Sequence, residues 1–472
     1  MDYQINTDRL LDHYYENFHP STPIVLPLQY LALRRLNRNH GLEPLLSVLH
    51  WIGSFYAAAT SPEAYYEKAR QALCRFDLPR TPLSVQALLL FALGQQHYNL
   101  RPESRVTLHS AIAMALELGM NTRGFASQQG EGNPILEESY RRTYYFLHLT
   151  DQHFSVISSS PIYRLRDVEV TVDLPCDDEM YEFGQIPPPS TWQDYHSREF
   201  AEIEVIYSSM TYLFDIASIV RFIMQSFMKT GTFDDALVSN VDTKLAIWNA
   251  LLPACKRDPL RPNGKVDEVM FTAHMMATVL VMNTHRPFSS LVYCIEELST
   301  KSFTSPVSFV EALRKNKGAH TARALKSLET ETQLLAIPCN IEKHHVFNLC
   351  MVCSLTMAQV SACNTLLDDH ALSIARDRIR LSIGFISAMS STWPIAKEMA
   401  KEVKAIARKT LLGSSQRSIV EPDPATEIEI PRDELLWPID TSTASIDIFS
   451  GIVLPAIDWD GLNQPSSSSA LP

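Results

Sequence analysis

The sequence predicts an all-α fold: a large irregular helical domain over residues 1–412, followed by a disordered acidic tail over residues 413–472. Three observations carry this reading. Apolar residues recur at three- and four-residue spacing nearly everywhere before residue 412, alternating strand patterns are scarce, and the composition changes abruptly after Gly413.

Taken in chain order, helical periodicity covers residues 6–18, 43–58 and 62–75. Thr81-Pro82 then places a capping hydroxyl and a first-turn proline ahead of Val85, Leu88, Leu89, Ala92 and Leu93, so a helix starts there. The same spacing runs over 102–119, 136–157, 198–229, 266–283, 308–335, 342–367, 370–390 and 393–411. Val168 to Leu174 is the one short alternating run, a strand candidate, and the polar, proline-bearing stretch from Pro175 to Ser190 reads as a long surface excursion. No fixed-period repeat is present, which disfavours a solenoid.

Composition narrows the function classes. The 472 residues carry 53 acidic against 41 basic side chains, a formal net charge of -12, and are 46% hydrophobic. That is ample apolar material for a core, and wholesale disorder is excluded. The acidic balance argues against a surface that tracks phosphate, because nonspecific nucleic-acid affinity comes from counterion release by Lys and Arg; any DNA contact is expected to be local or indirect. Only 15 glycines occur, and GxGxxG, GxxxxGK[ST] and GxSxG are all missing, so nucleotide-cradling and α/β-hydrolase readings fall away. Met1 to Leu11 shows no basic segment followed by an apolar one, and the eight scattered cysteines read as reduced thiols, which gives an expectation of cytosol or nucleus. His344 to Leu367 lacks Asp, Glu, Lys and Arg, yet is interrupted by His345, Asn348, Gln359 and Asn364; it reads as a helix buried on all sides rather than a membrane span.

From Ser414 to Pro472 there are ten acidic and two basic residues, which leaves 43 and 39 for the rest of the chain, so most of the acidity sits in the tail. There Asp433-Glu434-Leu435-Leu436-Trp437, Asp447-Ile448-Phe449 and Asp458-Trp459-Asp460 alternate carboxylates with large apolar groups. Charge of this kind keeps aromatic side chains solvated until a partner groove buries them, so Trp437, Phe449 and Trp459 are the expected partner-binding anchors of an activation segment. The bland alternative is a solvated tail folded back on the domain.

Several constellations bear on chemistry. Cys350-Met351-Val352-Cys353 is a CxxC without a second pair and reads as buried structural cysteines; His344-His345 lacks metalloprotease spacing. Asp177-Asp178-Glu179, Asp234-Asp235 and Asp368-Asp369 suggest the acidic magnesium sites of all-helical prenyl-diphosphate enzymes, but none extends to DDxxD, and each sits where a carboxylate meets a helix N-terminus. No catalytic residue, metal ligand or cofactor is assigned. Lys397, Lys401, Lys404 and Arg408 form one arc of a helix opposite Ile395, Met399, Val403 and Ile406, either a solvated face or an electrostatic hold on the tail. Glu137 with Arg141 and Glu138 with Arg142 are Glu-first pairs four apart, worth about 0.2–0.5 kcal/mol each on a helix surface.

Four stretches together resemble a known family, the regulatory or middle homology domain of fungus-specific transcription factors of the zinc binuclear cluster class. They are Leu10 to Pro20 with Pro23-Ile24, Gln86 to Leu90 with Ala111 to Gly119, Glu138-Ser139-Tyr140-Arg141-Arg142-Thr143-Tyr144-Tyr145 with Asp151 and Leu174-Pro175, and His285-Arg286-Pro287-Phe288. The resemblance implies that Arg141, Arg142 and Asp151 are structural rather than base-reading. Family members usually begin with six cysteines binding two zinc ions; here the first cysteine is Cys74. Gln152 stands where Arg is common, and Ser159-Ser160-Pro161 where Gly-Arg-Pro is common.

The resulting expectation is a nuclear, non-enzymatic transcription regulator of a fungal metabolic gene set, working without a zinc-cluster module of its own. Its expected partners are a DNA-bound transcription factor or coactivator and a small-molecule effector, with DNA contact indirect and no membrane. The alternatives are an all-helical metal-dependent enzyme and a truncated competitor of full-length factors.

Overall fold

A computed structural model describes residues 8–36, 41–58, 60–158, 160, 162–291, 293, 317–367 and 369–412, with the side chain of Asp369 outside that set. The tail, and with it Trp437, Phe449 and Trp459, lies outside the described residues.

The first half of the body is built from α1 (Arg9–His13), α2 (Leu28–Leu36), α3 (Glu43–Ser54), α4 (Pro62–Leu73), α5 (Pro82–His97), α6 (Arg101–Leu118), α7 (Phe125–Gln129) and α8 (Pro134–Ile157). α1 widens into a π turn over Tyr14–Phe18 and a 3-10 turn over His19–Ser21. Thr81 caps α5 by accepting from the Ser84 amide, and all of α5 is buried, since α3, α4, α6 and α8 pack around it. The second half comprises α9 (Asp178–Phe183), α10 (Trp192–His196), α11 (Ser209–Thr230), α12 (Asp235–Ala250), α13 (Glu268–His285), α14 (Lys317–Leu335), α15 (Asn348–Thr365), α16 (Asp369–Met389) and α17 (Pro394–Leu412). α15 is the counterpart of α5, an apolar helix covered by α13, α14, α16 and α17. One continuous apolar core runs from Leu11 through Trp51, Phe91, Tyr145, Phe271 and Val352 to Ala407. No described helix is long and apolar enough to cross a membrane.

Four expectations are corrected. Val168 to Leu174 is extended but is no strand: its backbone bonds go to the Asn121 carbonyl, the Tyr145 hydroxyl and the Ser190 carbonyl rather than to a neighbouring strand. The stretch after it is no surface excursion at its start, because Tyr181 on α9 is fully buried. The helix expected from residue 198 begins at Ser209, capped by Ser208; Ile203, Val205 and Ile206 before it are exposed, so they have no apolar surface to drive a helix. The fourth concerns residues 235–250, where the sequence pattern predicts no helix and α12 stands, with Leu237, Val238, Val241, Leu245 and Trp248 buried at helical spacing behind the Asp234 cap.

Candidate functional site

α8 positions the central site. Asn133 caps it by accepting from the amides of Ile135 and Leu136, Pro134 fills its first position, and the helix runs 24 residues. Glu138 and Arg142 lie one turn apart on its inward face, at 1% and 0% exposure, so the small surface value for such a pair does not apply. Arg142 Nε donates to Glu138 Oε1 at 2.8 Å, Nη1 to Asp178 Oδ1 at 2.6 Å and to the Pro23 carbonyl at 3.2 Å, and Nη2 to the Cys176 carbonyl at 2.6 Å. The guanidinium lies 4.2 Å from the Tyr181 ring centroid. Glu138 is satisfied in turn by the Cys176 amide at 2.9 Å and by Arg141 Nη1 at 3.0 Å.

The same helix holds a buried strap, Thr22 to Leu26. A strap without secondary structure needs side-chain donors for its carbonyls. Gln86 Nε2 and Ser139 Oγ both donate to the Ile24 carbonyl at 2.9 Å, Arg142 to Pro23, and the Tyr181 hydroxyl to Val25 at 3.1 Å. Three of the four stretches that carried the family resemblance therefore meet at one point: the strap, α5 and α8 with its following Leu174-Pro175 segment.

A second knot lies beside it. Lys256, 4% exposed, donates to Ser209 Oγ at 2.7 Å, to Asp177 Oδ2 at 3.1 Å and to Asp267 Oδ2 at 3.3 Å. Arg261 bridges Asp267 at 2.8 Å and Glu179 at 2.7 Å. Burial pulls the Lys256 ammonium down, but Asp267 and Asp177 outweigh it and leave its pKa raised. The Asp177-Asp178-Glu179 run thus meets Lys256, Arg142 and Arg261, and Asp177 also caps α9. Cations of the chain itself hold these carboxylates. Asp234 caps α12, Asp368 lies outside the described residues, and among the described residues no three His, Cys, Asp or Glu side chains gather in a metal-binding group. Cys353 is buried, and Cys350 donates to the Phe347 carbonyl.

Asp151, 4% exposed, accepts from the Leu165 amide at 2.8 Å and so closes the turn after α8; burial pushes its carboxyl up to about 6. Gln152 donates to the Ala217 carbonyl at 2.9 Å and ties α8 to α11, a contact that a neutral amide makes without a buried charge. His285 bridges Asp242 of α12 and His320 of α14 at 2.9 Å each, and Phe288 stacks on Phe233. On α17, Lys397 is exposed while Ile395, Met399, Val403 and Ile406 are buried, and Glu402 is buried among them on the same apolar arc.

Two recesses among the described residues bear on ligand binding. One, about 260 Å³, is a surface recess lined by Arg123, Val170, Thr171, Val172, Trp192 and Gln193. The other, about 40 Å³, lies between α5, α6, α8, α15 and α17 and includes His97, Arg101, Arg105 and His153. Burial drives His97 down to about 4 and His153 well below its usual value, so both imidazoles are neutral at pH 7. The recess is smaller than most ligand pockets of roughly 300–1,000 Å³, and the inner cavity has room for about three waters.

Comparison with known proteins completes the picture. Residues 11–236 match the family model of the fungal specific transcription factor domain, a span that contains the strap, α5, α8 and α9. A C6 finger domain transcription factor of Pestalotiopsis fici is 29% identical over 412 residues, which cover 86% of this chain and 60% of that protein. The chain thus spans less than two thirds of that relative's length. No solved structure matches.

Proposed function

We propose, from the match of residues 11–236 to the fungal specific transcription factor domain, that this chain acts in the nucleus as a regulator of transcription of a fungal metabolic gene set. The matched family and the P. fici relative are transcription factors, not enzymes. In this reading the helical body is a rigid platform, and recruitment is the mechanism: the body engages a DNA-bound partner, and Trp437, Phe449 and Trp459 anchor a coactivator. The buried network of Arg142, Glu138 and Asp178 around α8 and its strap forms a clasp that fits this reading. It is saturated by groups of the chain itself, so it stabilises a shape rather than receiving a substrate.

The test fuses residues 1–472 and residues 1–412 separately to a foreign DNA-binding domain in front of a reporter. The full chain should activate, the shortened one should not, and alanine at Trp437, Phe449 and Trp459 together should abolish activation. Equal output from both fusions would remove the tail from the mechanism.

A further inference from the structure

The Cys176 thiol touches Glu138 and Arg142, and a second thiol is set in an arrangement of its own. Cys339 lies half-buried in the connector between α14 and α15, with Sγ 3.1 Å from Nε2 of His344. The other ring nitrogen, Nδ1, is 2.6 Å from Oε2 of Glu268 at the start of α13. His344 is 3% and Glu268 6% exposed. The imidazole is clamped between Phe271, parallel at 3.9 Å between centroids, and Phe385 at 5.5 Å. Thiol, imidazole and carboxylate therefore stand in line, with the base fixed in tautomer and orientation, which is the geometry that activates a sulfur nucleophile.

We infer that Cys339 is a modification site for soft electrophiles of the α,β-unsaturated carbonyl class. With His344 already an imidazolium at pH 7, the thiol proton leaves to solvent, Nε2–H holds the thiolate, and the sulfur electron pair forms a C–S bond to the β-carbon. The C=C π pair moves onto the α-carbon as an enolate, which takes the proton from Nε2, and the imidazole regains one from solvent, so the adduct forms with no other reactant. Glu268 is the positioning residue that holds Nδ1–H through this exchange. Burial lowers the pKa of His344, but its bonds to Cys339 and Glu268 prevail and bring it up to about 9, consistent with an imidazole able to hold that proton. Burial pushes Cys350 and Cys176 up to about 12 and Cys363 up to about 11, so those thiols stay protonated at pH 7.

The experiment treats the full chain with substoichiometric N-ethylmaleimide at pH 7 and reads each cysteine's alkylation rate by peptide mass spectrometry, with exposed Cys74 and Cys255 as internal references. Cys339 should react at least about tenfold faster than either, as expected of an activated thiol. In Glu268→Gln and His344→Gln its rate should fall to that of Cys74, while the rates at Cys74 and Cys255 stay fixed. Alkylation of Cys339 in the unmodified chain no faster than Cys74 overturns the inference, as does an unchanged rate in Glu268→Gln. Should His344→Gln fail to fold, those two arms decide the question.

Discussion

At the scale of single residues, the decisive quantity is burial of charge. Glu138 and Arg142 were legible as a helical pair from their spacing, but spacing describes a helix surface, and the partners that change the energetics came from Pro23, Cys176 and Asp178, all distant in sequence. Removing one member of a buried pair leaves the other unpaired, at a cost of about 3–5 kcal/mol. Glu138→Gln and Arg142→Met should each lower unfolding stability by that amount in urea titrations. Arg142→Lys should be nearly as harmful, because a single ammonium cannot serve Glu138, Asp178 and two carbonyls in the fork geometry of a guanidinium. A loss under 1 kcal/mol for Arg142→Lys would mean that the charge alone matters. Glu402 shows a charged residue type at odds with its place in the pattern. Position 402 falls on the apolar arc of α17, one turn from Met399 and Ile406, and the packing of α17 on its neighbours seals it there.

At the scale of elements, long periodic helices were readable because one face or all faces meet the core, and α15 was readable as a helix enclosed by others. What escaped was held by contacts the local sequence does not encode. α9 is six residues long and exists because Tyr181 and Asp178 are seized by α8; α2 has a single buried residue, Leu31. Close helix approach was equally hidden. A Cβ on Gly53 of α3 would overlap the Leu10 carbonyl oxygen of α1, a backbone atom that cannot swing aside, whereas one on Gly384 of α16 meets nothing within 4 Å. The same substitution should therefore have opposite signs. Gly384→Ala should stabilise by roughly 0.5–1 kcal/mol through helix propensity. Gly53→Ala should lose that gain and a further 1–3 kcal/mol or so from overpacking. Thermal melts of the two variants against the parent chain test the crossing of α1 and α3 directly.

At the scale of the whole molecule, the buried titratable groups set a stability profile with pH. Burial is the first cause at His97, His109, His148, His153, His274, His285 and His345, and it holds all seven below the usual 6.5. Below 6.5 the unfolded chain takes up protons there that the folded one refuses, so their contribution is present above 6.5 and is lost as pH falls. Asp267 and Glu182, held below their ordinary values against burial by Lys256 and His19 respectively, add to that acid loss. Glu331 and Glu402 behave in the opposite way. Burial raises both from 4.5 to about 8, so the folded state binds the extra proton between those values and stability declines as pH rises through them. His344, raised to about 9, adds a loss in the same direction between 6.5 and 9. Between 4.5 and 6.5 the seven imidazoles outnumber the two glutamates and Asp151, whose window closes near 6. Above 6.5 the glutamates and His344 act unopposed, each at up to about 1.4 kcal/mol per pH unit. Stability should accordingly peak near pH 6.5 and fall toward pH 9, measured as the urea midpoint across pH 4 to 9. Glu331→Gln with Glu402→Gln should flatten the fall up to about pH 8 and leave the part that belongs to His344. A midpoint that climbs steadily from pH 6.5 to 9 would show that these two carboxyls are hydrated, and that α17 does not seal the core as its packing against α15 and α16 requires.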